Sequence, residues 1–141
     1  MLNKLKETSY LKFFLFFSFA IFLIRVFLNI NLKLPLHFDE AQYWDWSQNL
    51  DWGYFSKPPL LAFFIRIITE LCGNGENCIR ILSPLLYSFT SLIILFSIYL
   101  LTESYKKSLF GAILFLLMPG ITFSSFLIST DVPLIFFSSL I

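Results

Sequence analysis

The amino-acid sequence predicts an all-α integral membrane protein with about four transmembrane helices, the last of them truncated, and two interfacial helices in the first extracytoplasmic loop. Three observations lead to this fold class. Of the 141 residues, 57% are hydrophobic and 13% are charged, whereas a soluble domain has about 25% charged residues. The mean hydropathy of +0.78 is typical of an integral membrane protein. Long apolar runs flank a single polar stretch at residues 37–60, which contains all three tryptophans and the histidine.

The predicted spans follow from the lengths of the apolar runs, since a helix that crosses the hydrocarbon core needs about 20 mainly apolar residues. The spans are residues 12–31, 81–101 and 108–125, with an incomplete span at 132–141. Arg25 lies near the outer end of the first span, so we expect its side chain to snorkel outward. Pro84 falls in the first turn of the second span, and Pro119-Gly120 predicts a kink in the third.

The loop at residues 32–79 contains a first short helix, which we predict at about 40–50. At helical spacing, Asp39, Tyr43 and Trp46 fall on one stripe. Tryptophan and tyrosine favour the membrane–water boundary, because they combine an apolar ring with a polar tip. We therefore expect this helix to lie along the membrane surface, with Asp39 at its start as a candidate N-cap.

A second short helix in the same loop begins after Pro58-Pro59, because proline suits a first helical turn. It continues over residues 60–71, and Gly73 is a suitable stop. Arg66 and Glu70 have the i, i+4 spacing of an ion pair. At about 1.5 Å per residue the helix is too short to cross the hydrocarbon core, so we predict that it is interfacial.

Lysine and arginine are concentrated at the amino terminus and in the turn after the second span. These two segments hold five such residues in 18 positions, whereas the 31–79 loop holds three in 49. Basic residues favour the cytoplasmic side, so the long loop is predicted to be extracytoplasmic. This orientation places Asp39, Lys57 and Asp131 on the same face of the membrane.

Cys72 and Cys78 enclose a five-residue loop with two glycines, which allows a disulfide in an oxidising compartment. Two free thiols are the alternative, which we favour because sequence alone cannot fix a pairing. The chain has no zinc-ligand spacing and no glycine-rich phosphate loop, and its net charge is +1. Nothing in this pattern indicates a nucleic-acid partner.

The polar residues have structural and functional interpretations. Asp39 and Asp131 each precede a helix, where aspartate is a good N-cap. Lys57 has the simple alternative of binding solvent or lipid headgroups. Together, however, a carboxylate suited to act as a general base and a lysine suited to bind phosphate fit one type of substrate. That substrate is a lipid phosphate whose tail stays in the membrane.

The residues from Asp39 to Leu60, with their Asp-Glu, Trp-rich and Ser-Lys-Pro-Pro elements, resemble the first extracytoplasmic loop of bacterial C-type (GT-C) glycosyltransferases. These are the protein mannosyltransferase-like and aminoarabinose transferase-like enzymes. Ser129-Thr-Asp-Val-Pro-Leu134 resembles the second acidic motif of this family, and Arg80-Ile-Leu-Ser-Pro84 is also similar. The resemblance covers about residues 10–141 and implies that residues 1–141 form the amino-terminal part of a GT-C-like transmembrane domain.

The resemblance implies an inverting transfer of a sugar from a polyprenyl-phosphate donor to an extracytoplasmic acceptor such as lipid A, protein or another glycan. Asp39 and Asp131 match the catalytic acidic residues, and Lys57 matches the basic residue near the donor phosphate. The implied substrate-binding residues are Lys57, Glu40, Tyr43 and Tyr54. The implied location is the bacterial inner membrane, with membrane lipids as further partners. A divalent metal is left open, and we assign no metal ligand.

Two departures from the family pattern stand out. Ser56 occupies a position that is commonly acidic in the family, and serine cannot replace a carboxylate as a base or a strong metal ligand. Residues 132–141 reach about 15 Å as a helix, half of the hydrocarbon core. We therefore expect a truncated product or one part of a split enzyme whose remaining half is a separate chain.

Two other classes of function are alternatives. The chain could be a small non-enzymatic membrane protein that binds lipid-linked sugars or assists a complex, or an inactive remnant of an enzyme. A transporter subunit is a weaker alternative, since it predicts ionisable residues inside the spans and Arg25 is nearly alone there.

Overall fold

The computed structural model describes residues 2–32, 35–55 and 57–141, with side chains described from residue 8 onward. Within these ranges the regular secondary structure is α-helical and contains no strand, which confirms the predicted all-α class. The helices are α1 (Leu2–Leu32), α2 (Phe38–Gln48), α3 (Leu60–Cys72), α4 (Glu76–Thr102), α5 (Tyr105–Leu117), α6 (Pro119–Ser124) and α7 (Asp131–Ser138).

Two of these helices are long and apolar enough to cross a membrane. They are the 25-residue Thr8–Leu32 segment of α1 and the 27 residues of α4. Large apolar side chains on α1, such as Phe16 and Phe27, are exposed, as expected for a surface that faces lipid. These helices correspond to the first two predicted spans. That the chain makes four crossings stays a prediction.

The core divides into two apolar clusters at different levels of α4. One cluster joins α1, α4 and α5, with Phe14, Leu95 and Leu116 at its centre. The other surrounds the amino-terminal half of α4 and is built from α2, α3, α6, α7 and the segment before α7; it includes Tyr43 and Ile79. The two loop helices, α2 and α3, are therefore packed with the amino-terminal half of α4 in the second cluster.

The third predicted span is broken at Met118, between α5 and α6. Pro119 has no backbone N–H and so interrupts the helical ladder at this point. The Met118 N–H turns back to the Phe115 carbonyl, at 3.2 Å. The predicted weak point at Pro119-Gly120 is confirmed.

Arg25 of α1 contacts this break. Its Nη2 donates to the Leu116 carbonyl at 2.5 Å and to Thr122 Oγ1 at 3.3 Å, and the residue is only 4% exposed. The guanidinium therefore satisfies a carbonyl at the end of α5, where the helix supplies no donor. The prediction that Arg25 snorkels outward is wrong, because the break offers this side chain polar partners inside the protein.

The ends of the two short loop helices follow local signals. α3 begins after Pro59 and ends before Gly73, whose φ of 92° and N–H bond to the Thr69 carbonyl are typical of a helix C-terminus. The predicted Arg66–Glu70 ion pair is confirmed at 2.7 Å. That α2 and α3 lie along the membrane surface stays a prediction.

Three predicted helix starts are wrong by a few residues. The N-cap of α2 is His37, so Asp39 is the second helical residue, and the N-cap of α7 is Thr130 and not Asp131. α4 begins at Glu76, which places Pro84 in its third turn. At α2, the cause is Glu40, which accepts the His37 backbone N–H at 2.8 Å and so caps the helix from within.

Cys72 and Cys78 form a disulfide that joins the end of α3 to the first turn of α4, with Cα atoms 5.9 Å apart. Our expectation of two free thiols is therefore wrong. The turn at Gly73 brings the two residues within the range that a disulfide requires. The bond fixes α3, which carries part of the site described below, to α4.

We expect reduction of this disulfide to lower the free energy of unfolding by about 2 kcal/mol, since the bond closes a short loop in the unfolded chain. The check is thermal unfolding in detergent with and without reductant. A Cys72→Ser/Cys78→Ser variant is the control, because its stability should not respond to reductant. If both thiols of the unreduced, denatured protein react with an alkylating agent, the bond is absent.

Candidate functional site

The first turn of α2 presents two acidic residues in opposite directions. Asp39 and Glu40 are neighbours, but Asp39 is exposed whereas Glu40 is only 1% exposed. Successive helical side chains diverge by about 100°, so one carboxylate faces outward and the next faces the core. Both benefit from the positive end of the helix dipole. The outward carboxylate of Asp39 is free to meet a substrate.

Tyr43 lies one helical turn after Asp39 and is 5% exposed. Burial raises the pKa of its phenol, and the negative charges of Asp39 and Asp131 raise it further. A hydrogen bond with the Thr130 side chain lowers this pKa, but by less. The phenol therefore stays protonated at neutral pH and remains a hydrogen-bond donor.

Asp131, the first residue of α7, is also exposed. The charges of Asp39 and Asp131 both raise the pKa of Tyr43, so both carboxylates lie within electrostatic range of its hydroxyl. They come from segments that are far apart in sequence. That Asp39 and Asp131 act as a catalytic pair stays a prediction.

A groove of about 420 Å³ lies beside these residues. It is lined by Lys57, Pro58, Leu60, Leu61, Thr130, Pro133, Leu134 and Phe137. Thr130 lines the groove, bonds to Tyr43 and precedes Asp131, so the groove adjoins Tyr43 and Asp131. Among the residues that the structure describes, Lys57 is the only charged one in the lining. An apolar groove with one cation has the chemistry required to bind a lipid phosphate.

Tyr54 contacts the other end of α2. Its hydroxyl donates to the Trp46 carbonyl at 2.9 Å, and its ring stacks on Trp46 with centroids 4.5 Å apart. The same hydroxyl accepts the Asp51 N–H at 3.1 Å. These contacts order the loop after α2. The assignment of Tyr54 as a substrate-binding residue stays a prediction.

Arg80 is the residue of this region to which the sequence assigns no role. It pairs with Glu40 through Nη2 and Oε2 at 2.6 Å, and both side chains are 2% exposed. Burial alone would raise the pKa of Glu40, but bonds from Arg80 and from the His37 and Ile128 N–H groups lower it overall. Contact of Glu40 with substrate stays a prediction, and it would require the carboxylate to release one of these donors.

The possibility of a divalent metal depends on the potential ligand side chains of the described residues. Within residues 2–32, 35–55 and 57–141, no group of three histidine, cysteine, aspartate or glutamate side chains converges on a point that could bind an ion. Ser56, which departs from the family pattern, lies outside the described residues. The divalent metal remains open.

Comparison with known proteins gives one family match and one similar curated protein. The dolichyl-phosphate-mannose-protein mannosyltransferase family matches residues 56–141, a range that includes Lys57 and Asp131. A lipid A galacturonosyltransferase, RgtD, from Rhizobium johnstonii is 45% identical over 100 residues, which cover 70% of this chain and 21% of that protein. No solved structure matches.

The chain thus spans about a fifth of the length of this relative. The family match covers more than half of the chain and includes both the groove lysine and the second acidic motif. The described part of the chain also has two apolar helices of membrane-spanning length. This chain belongs to the dolichyl-phosphate-mannose-protein mannosyltransferase family.

Proposed function

We propose that this chain provides the acceptor-activating part of a membrane glycosyltransferase that uses a polyprenyl-phosphate-linked sugar. One observation supports the proposal: Tyr43, whose pKa is raised by the charges of Asp39 and Asp131, bonds to Thr130, which lines an apolar groove together with Lys57. The groove accommodates the first part of a lipid tail, and the lysine meets the phosphate where the tail ends. The sugar then lies next to the two carboxylates.

In the proposed reaction, Asp39 accepts the proton of the acceptor hydroxyl as the oxygen attacks the anomeric carbon. The bond from that carbon to the phosphate oxygen breaks, and its electron pair leaves with the polyprenyl phosphate. A single displacement of this kind inverts the anomeric carbon. Lys57 offsets the negative charge that develops on the leaving phosphate.

Tyr43 and Asp131 orient the reactants in this scheme. The protonated phenol of Tyr43 donates a hydrogen bond to the Asp39 carboxylate or to the bound sugar. Asp131 accepts from a second hydroxyl of the sugar, which fixes the ring relative to the groove. Neither residue exchanges a proton with the acceptor.

Two independent features support an extracytoplasmic location for this site in the inner membrane of a bacterium. The distribution of lysine and arginine favours this side for the 32–79 loop. The Cys72–Cys78 disulfide lies in the same loop, and disulfides persist in oxidising compartments such as the periplasm. We propose that the loop faces the periplasm.

The relative named as a lipid A galacturonosyltransferase gives the first substrates to test. We propose lipid A as an acceptor and a polyprenyl-phosphate uronic acid as a donor. We also propose that the groove and the site are completed by segments beyond this chain, either in the same polypeptide or in a partner polypeptide. These segments correspond to the remainder of the longer relative.

The test is a transfer assay on membranes from cells that produce the chain in its native gene context. A panel of polyprenyl-phosphate sugars is supplied, and lipid A and glycoproteins are analysed by mass spectrometry. We expect a mass increase of one sugar on one acceptor class. Binding of the lipid-linked sugar without transfer to any acceptor would overturn the proposal and favour the non-enzymatic alternative.

We expect Lys57→Gln to reduce transfer by about 10- to 100-fold, since a charge-assisted hydrogen bond contributes about 1.5–3 kcal/mol. The measurement is the rate of transfer as a function of donor concentration. Lys106→Gln, which removes an exposed lysine at the start of α5, is the matched control and should transfer normally. Equal rates for the two variants would contradict a phosphate contact by Lys57.

A further inference from the structure

Glu40, the residue after Asp39, has a buried carboxylate that joins three separate parts of the chain. We call this set the Glu40 cluster, which consists of Pro35, His37, Glu40, Arg80 and Ile128. Glu40 and Arg80 are 1% and 2% exposed. The cluster lies on the inner side of α2, whereas Asp39 lies on its outer side. It is therefore separate from the surface that would contact substrate.

Each oxygen of the Glu40 carboxylate accepts two donors. Oε1 accepts Arg80 Nε at 3.1 Å and the Ile128 backbone N–H at 2.9 Å. Oε2 accepts Arg80 Nη2 at 2.6 Å and the His37 backbone N–H at 2.8 Å. Arg80 Nη2 also donates to the Pro35 carbonyl at 2.8 Å. The carboxylate thus bonds to the start of α2, to α4 and to the segment before α7.

α4 fixes this last segment at two further points. Ser83 Oγ donates to the Leu127 carbonyl at 2.5 Å, and the Tyr87 hydroxyl shares a hydrogen bond with Ser124 Oγ at 2.8 Å. Successive turns of α4 therefore contact successive parts of the chain from the end of α6 to the segment before α7. Both α2, which carries Asp39, and the segment that precedes Asp131 are therefore held against α4.

We propose that Glu40 and Arg80 are positioning residues, which set the distance between Asp39 and Asp131 by bonding both of their segments to α4. Asp39 is adjacent to Glu40, and Asp131 is three residues after Ile128. Without these hydrogen bonds, fewer contacts hold α2 and the segment before α7 together, and the carboxylates of Asp39 and Asp131 move apart. This inference rests on the function proposed above and extends it to two buried residues that act through their hydrogen bonds to other segments.

The chemistry of the cluster requires a carboxylate and not merely a polar side chain. A glutamate accepts four donors with its two oxygens, as here, whereas a glutamine offers one accepting oxygen and one donating amide. Glu40→Gln therefore places an N–H against donors and removes the charge next to Arg80. It changes few atoms but breaks at least two of the four bonds.

The first experiment uses the unaltered protein. Residue-resolved hydrogen exchange in detergent should show the Ile128 N–H exchanging at least about 100-fold more slowly than an unstructured amide, since its acceptor is buried. Exchange of this amide at the unstructured rate would overturn the proposal. Because no substitution is needed, this measurement is valid even if a variant fails to fold.

The second experiment follows Tyr43, whose titration depends on both carboxylates. In protein labelled with 13C on the tyrosine rings, the Tyr43 signal is assigned by its loss in Tyr43→Phe. Glu40→Gln should lower the pKa of Tyr43 toward its ordinary value, because Asp131 moves away. Glu70→Gln, which breaks the exposed pair with Arg66, is the matched control and should leave the titration unchanged. An unchanged titration in folded Glu40→Gln would overturn the proposal.

The third experiment measures transfer by Glu40→Gln, Arg80→Gln and the double variant in the native gene context. Misplacement by about 1 Å can reduce a rate by about 100-fold, so we expect kcat to fall by about 10- to 100-fold with little change in KM for the donor. The double variant should lose no more than either single variant, because both residues belong to one cluster. Losses that multiply, or a normal kcat in a folded variant, would contradict a shared positioning role.

The two proposals fail in different ways. If the unaltered protein transfers no sugar, the proposed function fails, whereas hydrogen exchange and the Tyr43 titration still decide whether the cluster sets the spacing of the carboxylates. If the unaltered protein transfers sugar and Glu40→Gln transfers equally well, the positioning role fails and the function stands.

Discussion

Asp39→Asn is expected to reduce the rate of sugar transfer by about 10²- to 10⁴-fold, the usual contribution of a general base. Asparagine has nearly the shape of aspartate, but its amide cannot accept the proton of the attacking hydroxyl. Asp39 is exposed and is not the N-cap of α2, so the substitution should leave the fold intact. The measurement is the transfer rate in the native gene context, together with thermal unfolding.

Asp45→Asn is the matched control for this variant. Asp45 is an exposed aspartate on the same helix, and it lies outside the candidate site. We expect it to transfer at the normal rate and to unfold at the normal temperature. If Asp39→Asn also transferred normally, Asp39 would not be the base, and the convergence of the two acidic residues would need another explanation.

The second large effect is expected for stability. Arg80→Met should lower the free energy of unfolding by about 3–5 kcal/mol, because it leaves the Glu40 carboxylate buried without its charge partner. Methionine fills much of the volume of the arginine stem, so the loss comes mainly from the charge and its hydrogen bonds. The measurement is unfolding by denaturant in detergent micelles.

The same variant has a predictable dependence on pH. In the unaltered protein the pKa of Glu40 is lowered below its ordinary value of about 4.5, so this group stabilises the fold above about pH 4.5. That contribution is lost as the pH falls through the lowered pKa. Without Arg80, burying the protonated form of Glu40 costs less free energy than burying the charged form. The loss of stability in Arg80→Met should therefore be smaller at pH 4 than at pH 7.

Arg66→Met is the control for this effect. The Arg66–Glu70 pair is exposed, with 40% and 62% of the side chains accessible, and it should contribute at most about 1 kcal/mol. Arg66→Met should therefore cost little stability, because water already solvates the Glu70 carboxylate that it leaves unpaired. Equal destabilisation by Arg66→Met and Arg80→Met would contradict the distinction between the exposed and the buried pair.

The features that the sequence predicts well are those with local causes. α3 begins after two prolines and ends at a glycine, and the structure places both ends there. The break in the third apolar run occurs at Pro119, which removes a backbone donor whatever its neighbours are. In both cases the deciding residue lies within the segment that it shapes.

The features that the sequence mispredicts or misses depend on distant partners. Arg25 turns inward because its acceptors lie 91 and 97 residues later in the chain. Arg80 acquires its role from a glutamate 40 residues earlier, and no spacing rule connects the two. The N-cap of α2 also differs because Glu40 accepts the His37 N–H while it bonds to Arg80. The catalytic assignments come from family resemblance and not from spacing, and they remain to be tested.

The contact between Arg25 and the α5–α6 break has a consequence for biosynthesis. α1 is synthesised before α5, so the Arg25 guanidinium exists before the Leu116 carbonyl that it binds. A lone arginine in a membrane helix costs about 2.5–3.5 kcal/mol at the bilayer centre, and less toward its edge. Until α5 and α6 are in place, the guanidinium lacks these acceptors and α1 carries this cost. Packing of α5 and α6 against α1 therefore returns this free energy, so the break favours assembly of the three helices as well as turning the third apolar segment.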